Sequence, residues 1–334
     1  MVKKRGIGVA SIIYGTGYGN GFPDASSAFV EIHDDGTATV LTGAVDVGQG
    51  SDTVFAQIAA EELGIYPEDV TVISADTATT PDAGTTAATR QTYTTGNAVR
   101  LACQEAKEVM LERAARELGV NTISGLVVKE RKVYVKGFPQ KYMWIKDVAT
   151  RVRFGGARLL GEYTFVTHTT ELDPETGQGA PYWPYAFATQ IAEVEVDTET
   201  GKVDVVKIVA AHDVGKAINK MGVEGQICGG VAQGVGYALM EEVELANGKI
   251  KNPNFTGYLM PTSLDMPEIV PIIIEELEPT GPYGAKGVGE PAMLPTAPAI
   301  LNAIYDAVGV RINEMPATPE KILSLIKAKE NNNY

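Results

Sequence analysis

The stretch ATQIAEVEVDTETGKVDVVKIVAAHDVG, residues 188–215, reads as two strands folded back on each other at Thr200-Gly201. A glycine-spaced helix, VEGQICGGVAQGVGYALMEE (223–242), follows it. Earlier in the chain, ASSAFVEIHDDGTATVLTGAVDVG (25–48) is a hairpin of the same kind, turning at Asp34-Asp35-Gly36, and again a helix follows. Each half thus runs hairpin, Gly/Gln-rich turn, helix, a hint of internal duplication. Hairpins mixed with helices, without regular strand–helix alternation, predict an α+β fold. With 334 residues the chain exceeds what one core usually fills. Two mixed sheet-and-helix domains are therefore expected, at 1–150 and 151–334.

Between these hairpins, SDTVFAQIAAEELG (51–64) reads as a helix. Ser51 or Asp52 would cap it, Phe55, Ile58, Ala59 and Leu63 would face the core, and Gly64 would end it. DVTVISAD (69–76) reads as a strand and 77–96 as a Gly/Thr-rich loop. A second helix places Ala98, Leu101, Ala102, Ala106, Val109 and Met110 on one face. GLVVKERKVYVKG (125–137) is another hairpin. The opening MVKKRGIGVASIIYG reads as a strand, because Gly6, Gly8 and Gly15 interrupt the apolar run that a signal peptide needs. PTAPAILNAIYDAVG (295–309) and TPEKILSLIKAK (318–329) are amphipathic helices, the second with Thr318 as cap and Pro319 in its first turn. The tail KENNNY is expected to be unstructured.

Lys plus Arg number 28 and Asp plus Glu 42, a net charge of −14. That argues against nucleic acid or an anionic membrane as partner. One tightly held anionic cofactor remains compatible, since backbone N–H groups bind anions without net positive charge. Apolar residues at 44% and charged residues at 21% fit a soluble globular protein, and the expected compartment is the cytoplasm. Cys103 and Cys228 lack the spacing of a zinc or iron–sulfur site; Cys103, in NAVRLACQEAKEVM, reads as a buried free thiol.

The segment GAKGVGEP (284–291) sets three glycines before one acid, Glu290, and Pro291 directly behind it. This suits a tight turn holding a carboxylate at a defined place. Glu290 would equally serve by capping a neighbouring helix or pairing with Lys286. VDVGQGSD (45–52), GTTAATRQTYTTG (84–96) and EGQICGGVAQGVG (224–236) are Gly/Gln-rich segments at helix entrances, where close backbone approach and the helix dipole favour an anion. None carries a Walker or Rossmann fingerprint. His33 reads as a surface residue, His212 as satisfying local backbone, and His168 carries no clear signal. Tyr182, Trp183 and Tyr185 read as packing at a domain seam or as a channel gate.

Taken together, GAVDVGQGSDTVFAQIAAEELGI, TTAATRQTYTTGNAV, GQICGGVAQGVGYAL, YLMPTSLDMPEI and GAKGVGEPAMLPTAPAILNAIYDAVG, in that order, closely resemble the C-terminal half of the molybdopterin-binding region of the molybdenum hydroxylases, the xanthine dehydrogenase/aldehyde oxidase family. The resemblance covers most of the chain. The N-terminal half of that region and the iron–sulfur domain have no counterpart here. Length and opening are most similar to split subunits such as the medium molybdopterin subunit of bacterial nicotinate dehydrogenases.

The resemblance implies that Glu290 is the catalytic base. It implies cofactor contacts at Val47, Gly48, Gln49, Gly50 and Ser51, at Ala87, Ala88, Thr89, Arg90 and Gln91, and at Gln233. It places Tyr14 or Tyr18 against the substrate ring. Thr89 stands where relatives more often have serine, and Arg90 is unusual. The implied cofactor is molybdenum–molybdopterin cytosine dinucleotide with a terminal sulfido or selenido ligand, the metal held through the pterin dithiolene and not by protein side chains. The implied reaction is hydroxylation of an electron-poor N-heteroaromatic, nicotinate-like or purine, with water-derived oxygen and hydride transfer to the molybdenum centre. Implied partners are a larger molybdopterin subunit, an iron–sulfur subunit carrying [2Fe–2S] clusters and an FAD subunit. A non-catalytic assembly subunit, an aldehyde-oxidising relative and a different nucleotide-binding oxidoreductase are the other readings.

Overall fold

The computed structural model of the chain describes residues 3–19, 22 and 24–332. In chain order the first elements are β1 (Lys3–Gly15), β2 (Ala25–Ile32), β3 (Ala38–Thr42), α1 (Ser51–Leu63), β4 (Val70–Ser74) and α2 (Gln91–Leu118). A meander of β5 (Leu126–Lys129), β6 (Lys132–Val135) and β7 (Phe138–Trp144) leads into α3 (Ile145–Phe154) and β8 (Leu159–Val166). The long hairpin β9 (Tyr185–Asp197) and β10 (Val203–Asp213) is followed by α4 (Lys220–Leu239). A two-residue pair, β11 (Leu245–Ala246) and β12 (Lys249–Ile250), then β13 (Glu268–Ile274), α5 (Thr296–Val308) and α6 (Pro319–Asn332) complete the chain. Mixed sheets with helices bear out the α+β class. The end of the chain differs from expectation, since Lys329–Asn332 continue α6 while Asn333 and Tyr334 lie outside the described residues.

Two four-stranded sheets carry the fold, in the orders β8-β2-β3-β4 and β1-β9-β10-β13. Both run antiparallel, antiparallel, parallel across those orders. In each, a hairpin is followed by a crossover helix (α1 or α4) that returns the chain as a parallel neighbour (β4 or β13). Pro271 sits in β13, a sheet edge, where its missing N–H costs no central ladder bond.

Helices α1, α2 and α3 pack over the first sheet and α4, α5 and α6 over the second, giving two cores. Phe55, Ile58 and Leu63 of α1 are exposed by 1% or less, each worth about 1.5–3 kcal/mol of burial. On α2 the expected face is mostly buried, with Leu101 and Val109 half-buried at its flank. Strand and helix approach closely in both halves. A Cβ on Gly8 would lie 2.2 Å from the Ala299 carbonyl of α5, and one on Gly161 would lie 2.0 Å from the Ala102 carbonyl of α2. Gly6 and Gly8, which break the opening apolar run, therefore serve helix-on-strand packing.

Strand β1 belongs to the second sheet and β8 to the first. The chain crosses between the cores twice, so a single cut between residues 150 and 151 does not separate them. Among the described residues, no helix is long and apolar enough to cross a membrane.

Candidate functional site

Parallel pairing of β3 with β4 and of β10 with β13 puts the four following loops on matching sheet edges. These loops, leading into α1, α2, α4 and α5, surround a cleft of about 480 Å³. Gln49, Gly50 and Ser51 line it from the first loop, and Ala87, Thr89 and Gln91 from the second. Lys216, Asn219 and Gln226 line it from the third and residues 286–290 from the fourth. Among the described lining residues Glu290 is the only acid, although the whole chain carries −14.

Glu290 opens a single 3₁₀ turn, Glu290–Ala292, pressed against the Ala88-Thr89 segment. A Cβ on Gly287 would lie 1.9 Å from the Thr89 carbonyl oxygen, so only glycine permits that approach. Thr89 Oγ1 donates to the Glu290 carboxylate and accepts the Glu290 backbone N–H at 3.2 Å. Neither alternative role for Glu290 is realised. Lys286 Nζ is 2.6 Å from Asp213 Oδ2 in a buried pair, and α5 begins without a side-chain cap. The carboxylate is exposed to the open cleft and not enclosed in an apolar pocket, because this chain walls it on one side only.

Of the two candidate tyrosines, Tyr14 meets the acid. Its hydroxyl lies against both the Glu290 carboxylate and the Thr89 hydroxyl, and burial, then the Glu290 charge, push its pKa up to about 12. Tyr14 therefore keeps its proton at neutral pH. Tyr18 lies beside it with its ring 5.9 Å from Phe22 and its buried hydroxyl unpartnered. Behind the turn, Gln190 Nε2 donates to the Ala292 carbonyl at 2.8 Å and Gln190 Oε1 accepts from Thr296 at 2.7 Å. His212 packs against this amide, Nε2 to Nε2 3.3 Å, in place of the expected backbone contact; burial lowers its pKa to about 4. Tyr182 packs over Gly15 and Gly19, and Trp183 Nε1 donates to Thr280 at 3.1 Å, the packing alternative for that aromatic cluster.

The cofactor candidates divide by what their side chains already do. The Gln49 amide folds onto its own loop, donating to Val45 O and Ser51 Oγ at 2.9 Å each and accepting from the Val47 N–H at 2.7 Å. Val47 is exposed, and Gly48 and Gly50 hold left-handed backbone. The cap of α1 is Gly50, not Ser51 or Asp52; the Asp46 carboxylate takes the N–H groups of Gly48 and Asp52 at 2.8 and 3.2 Å. Burial works against that carboxylate's charge, yet these donors hold its pKa below the ordinary value. The Arg90 guanidinium is buried beneath the loop, bonding Asp24 and the carbonyls of Ala83, Thr85 and Ala25. Its side chain clamps the loop and leaves contact with a ligand to the neighbouring backbone.

Helix α2 starts without a side-chain cap, and the N–H groups of its first turn have no intrahelical acceptor. Its positive end opens on the cleft beside Gln91. Gln233 is exposed and does not line the cleft; Gln226, two turns earlier on α4, does. Helix α4 itself is capped by Asn219, whose Oδ1 accepts from Gly222 N–H at 2.9 Å.

Residues 2–267 match the molybdopterin cofactor-binding domain family. The xanthine dehydrogenase molybdenum-binding subunit of Escherichia coli O157:H7 is 35% identical over 96% of this chain and 42% of its own length. The aldehyde oxidoreductase of Megalodesulfovibrio gigas is 34% identical over 97% of this chain and 33% of its own. The crystal structure of quinoline 2-oxidoreductase from Pseudomonas putida 86 superposes with a TM-score of 0.87 at 30% identity, covering 97% of this chain and 42% of that one. The fold is thus shared with molybdenum oxidoreductases. The chain belongs to the molybdopterin cofactor-binding family, and it spans less than half the length of the relatives it matches.

Proposed function

We propose that this chain is the Glu290-bearing molybdopterin subunit of a multi-subunit molybdenum hydroxylase acting on an electron-poor N-heteroaromatic, nicotinate-like or purine. The observation that carries this reading is Glu290, held by Thr89 on the wall of a cleft to which both halves contribute loops. The residues present fit the cofactor. A Cβ added at Gly48 or Gly50 would meet nothing within 4 Å, so that backbone can approach a ligand, and the uncapped start of α2 favours an anion. The Gln226 amide and the backbone of Ala87–Gln91 would hold the pterin, since the Gln91 amide is already bonded to Thr85, Thr86 and Thr95. When bound, the molybdenum–pterin group supplies the two-electron oxidising centre, its metal held by the dithiolene.

The chain's own residues supply positioning and proton handling. Glu290 accepts the proton of the water that provides the oxygen atom. Thr89 holds that carboxylate in place, and Tyr14, beside it though outside the cleft lining, is the tyrosine this reading assigns to the substrate ring. The buried Lys286–Asp213 pair braces the loop behind it. The cytosine dinucleotide form, with a terminal sulfido or selenido ligand, belongs to the same reading. So do a larger molybdopterin subunit closing the open side, and [2Fe–2S] and FAD subunits carrying electrons away. Support for a covering partner comes from the exposed apolar residues Ile7, Val9, Ile13, Phe187, Ile191 and Ile272 on the open face of the second sheet. The name of the quinoline enzyme favours a ring substrate, and that of the aldehyde oxidoreductase keeps aldehydes as the runner-up.

Metal and nucleotide analysis of the intact complex tests this reading, followed by a substrate screen with an artificial electron acceptor. Near-stoichiometric molybdenum, release of a cytidine nucleotide on acid hydrolysis and turnover of N-heteroaromatics ahead of aldehydes are expected. A complex without molybdenum would overturn it.

A further inference from the structure

We propose that Thr89 is the positioning residue of Glu290, and that the left-handed backbone at Ala88 and Thr89 exists to bring its hydroxyl there. The inference rests on the reading of Glu290 as the base. Ala88 and Thr89 have φ of 52° and 58°, a region that β-branched residues rarely enter. Two consecutive residues in that state persist only where their surroundings over-determine them, and such strain gathers at functional sites.

Both sides of this segment are fixed. On the buried side, Arg90 ties the preceding loop to β2, through Nη1 to Ala83 O at 2.8 Å and Nη2 to Ala25 O at 2.6 Å. On the cleft side, the missing side chain of Gly287 leaves room for the Thr89 carbonyl oxygen. One oxygen then does two things to one residue. Thr89 Oγ1 accepts the backbone N–H of Glu290 at 3.2 Å and donates to the carboxylate of the same residue. Fixing both ends of Glu290 leaves its side chain little rotamer freedom and aims it into the cleft. A serine could make both bonds, whereas valine, of the same shape, could make neither.

The test uses the complex purified with its partner subunits and carrying Thr89→Val, Thr89→Ser or Thr89→Gly. With molybdenum and pterin content unchanged, Thr89→Val should lower kcat/KM by about 10- to 100-fold, a tenth or less of wild type. The loss should fall on kcat and not on KM, since the base and not substrate binding is disturbed. Thr89→Ser should recover most of the rate. Thr89→Gly should turn over as slowly as the valine variant while melting at a higher temperature than wild type, because the backbone strain is lifted. A wild-type rate in Thr89→Val would overturn the proposal. If that variant does not assemble, the serine–glycine pair decides, and equal rates in the two would overturn it. Glu290→Gln is the control. Normal turnover there sinks the base assignment itself, whereas an inactive Glu290→Gln beside a normal Thr89→Val sinks only the role of Thr89.

Discussion

The two halves share one plan and finish it differently. Each builds a sheet from a hairpin, a parallel return strand and an antiparallel strand from elsewhere in the chain, then lays a helix on that last strand. On the first sheet, the face away from the helices mixes polar and apolar residues, with Ser27, Glu31, Thr39, Glu162 and Thr164 among them. On the second, Arg5, Glu193, Glu195 and Lys207 make one end of the same face charged, but Ile7, Val9, Ile13, Phe187 and Ile191 form a contiguous patch across β1 and β9, exposed by 58, 51, 72, 49 and 41%. The first sheet exposes Ile73, Leu160 and Val166 singly among polar residues, whereas the patch on the second is continuous and suited to being covered. The loops diverge as well. The first half presents the strained Ala88-Thr89 backbone, and the second presents Glu290 against it. Neither half holds a complete site.

The largest effect expected from this contrast is on assembly. Ile13→Glu combined with Ile191→Glu should weaken co-purification with the partner subunits by more than about 100-fold, since buried unpaired charges cost several kcal/mol. Thr39→Glu with Thr164→Glu on the first sheet should leave assembly intact. Pull-down at graded concentration reads both. Equal loss in the two pairs would break the contrast.

Stability comes next, and here the halves should behave alike. Gly8→Val and Gly161→Val each force a side chain into a helix backbone, and each should cost about 3 kcal/mol or prevent folding, read by urea midpoint. A mild loss at either site would mean that the close strand–helix contact there is not needed.

The smallest effect again separates the halves. His212, near the end of β10, is held neutral by burial with its pKa near 4, below the ordinary 6.5, whereas β3 ends in Thr42, which does not titrate. Between pH 6.5 and 4 the unfolded chain binds a proton there that the folded chain does not, so stability falls as pH drops through that window and is fully present above it. The contribution is on the order of 3 kcal/mol at most. His212→Gln should flatten the difference between melting at pH 7 and at pH 4.5, and an unchanged difference would remove His212 as its source.

The hairpins, the helix faces and the Gly64 stop were legible in the sequence because they rest on local periodicity and local backbone chemistry. The exchange of β1 and β8 between sheets was not, since Ile7 pairs with Glu193 and Val30 with Gly161, far along the chain. Glu290 and the Ala87–Gln91 segment were legible as stretches that line one cleft. The employment of each side chain was hidden. Arg90 is consumed by Asp24 and three carbonyls, and Gln49 by its own loop. Gln226 was overlooked for Gln233, because helical phase puts both on one face and only tertiary packing decides which meets the cleft.

The most direct measurement is the single-turnover rate of Glu290→Gln in the assembled complex, at matched molybdenum content and with wild type alongside. Loss of about 10³-fold or more, with metal and pterin retained, is expected of a carboxylate that accepts the proton. A rate within about threefold of wild type would place the base elsewhere and contradict the role given to this cleft.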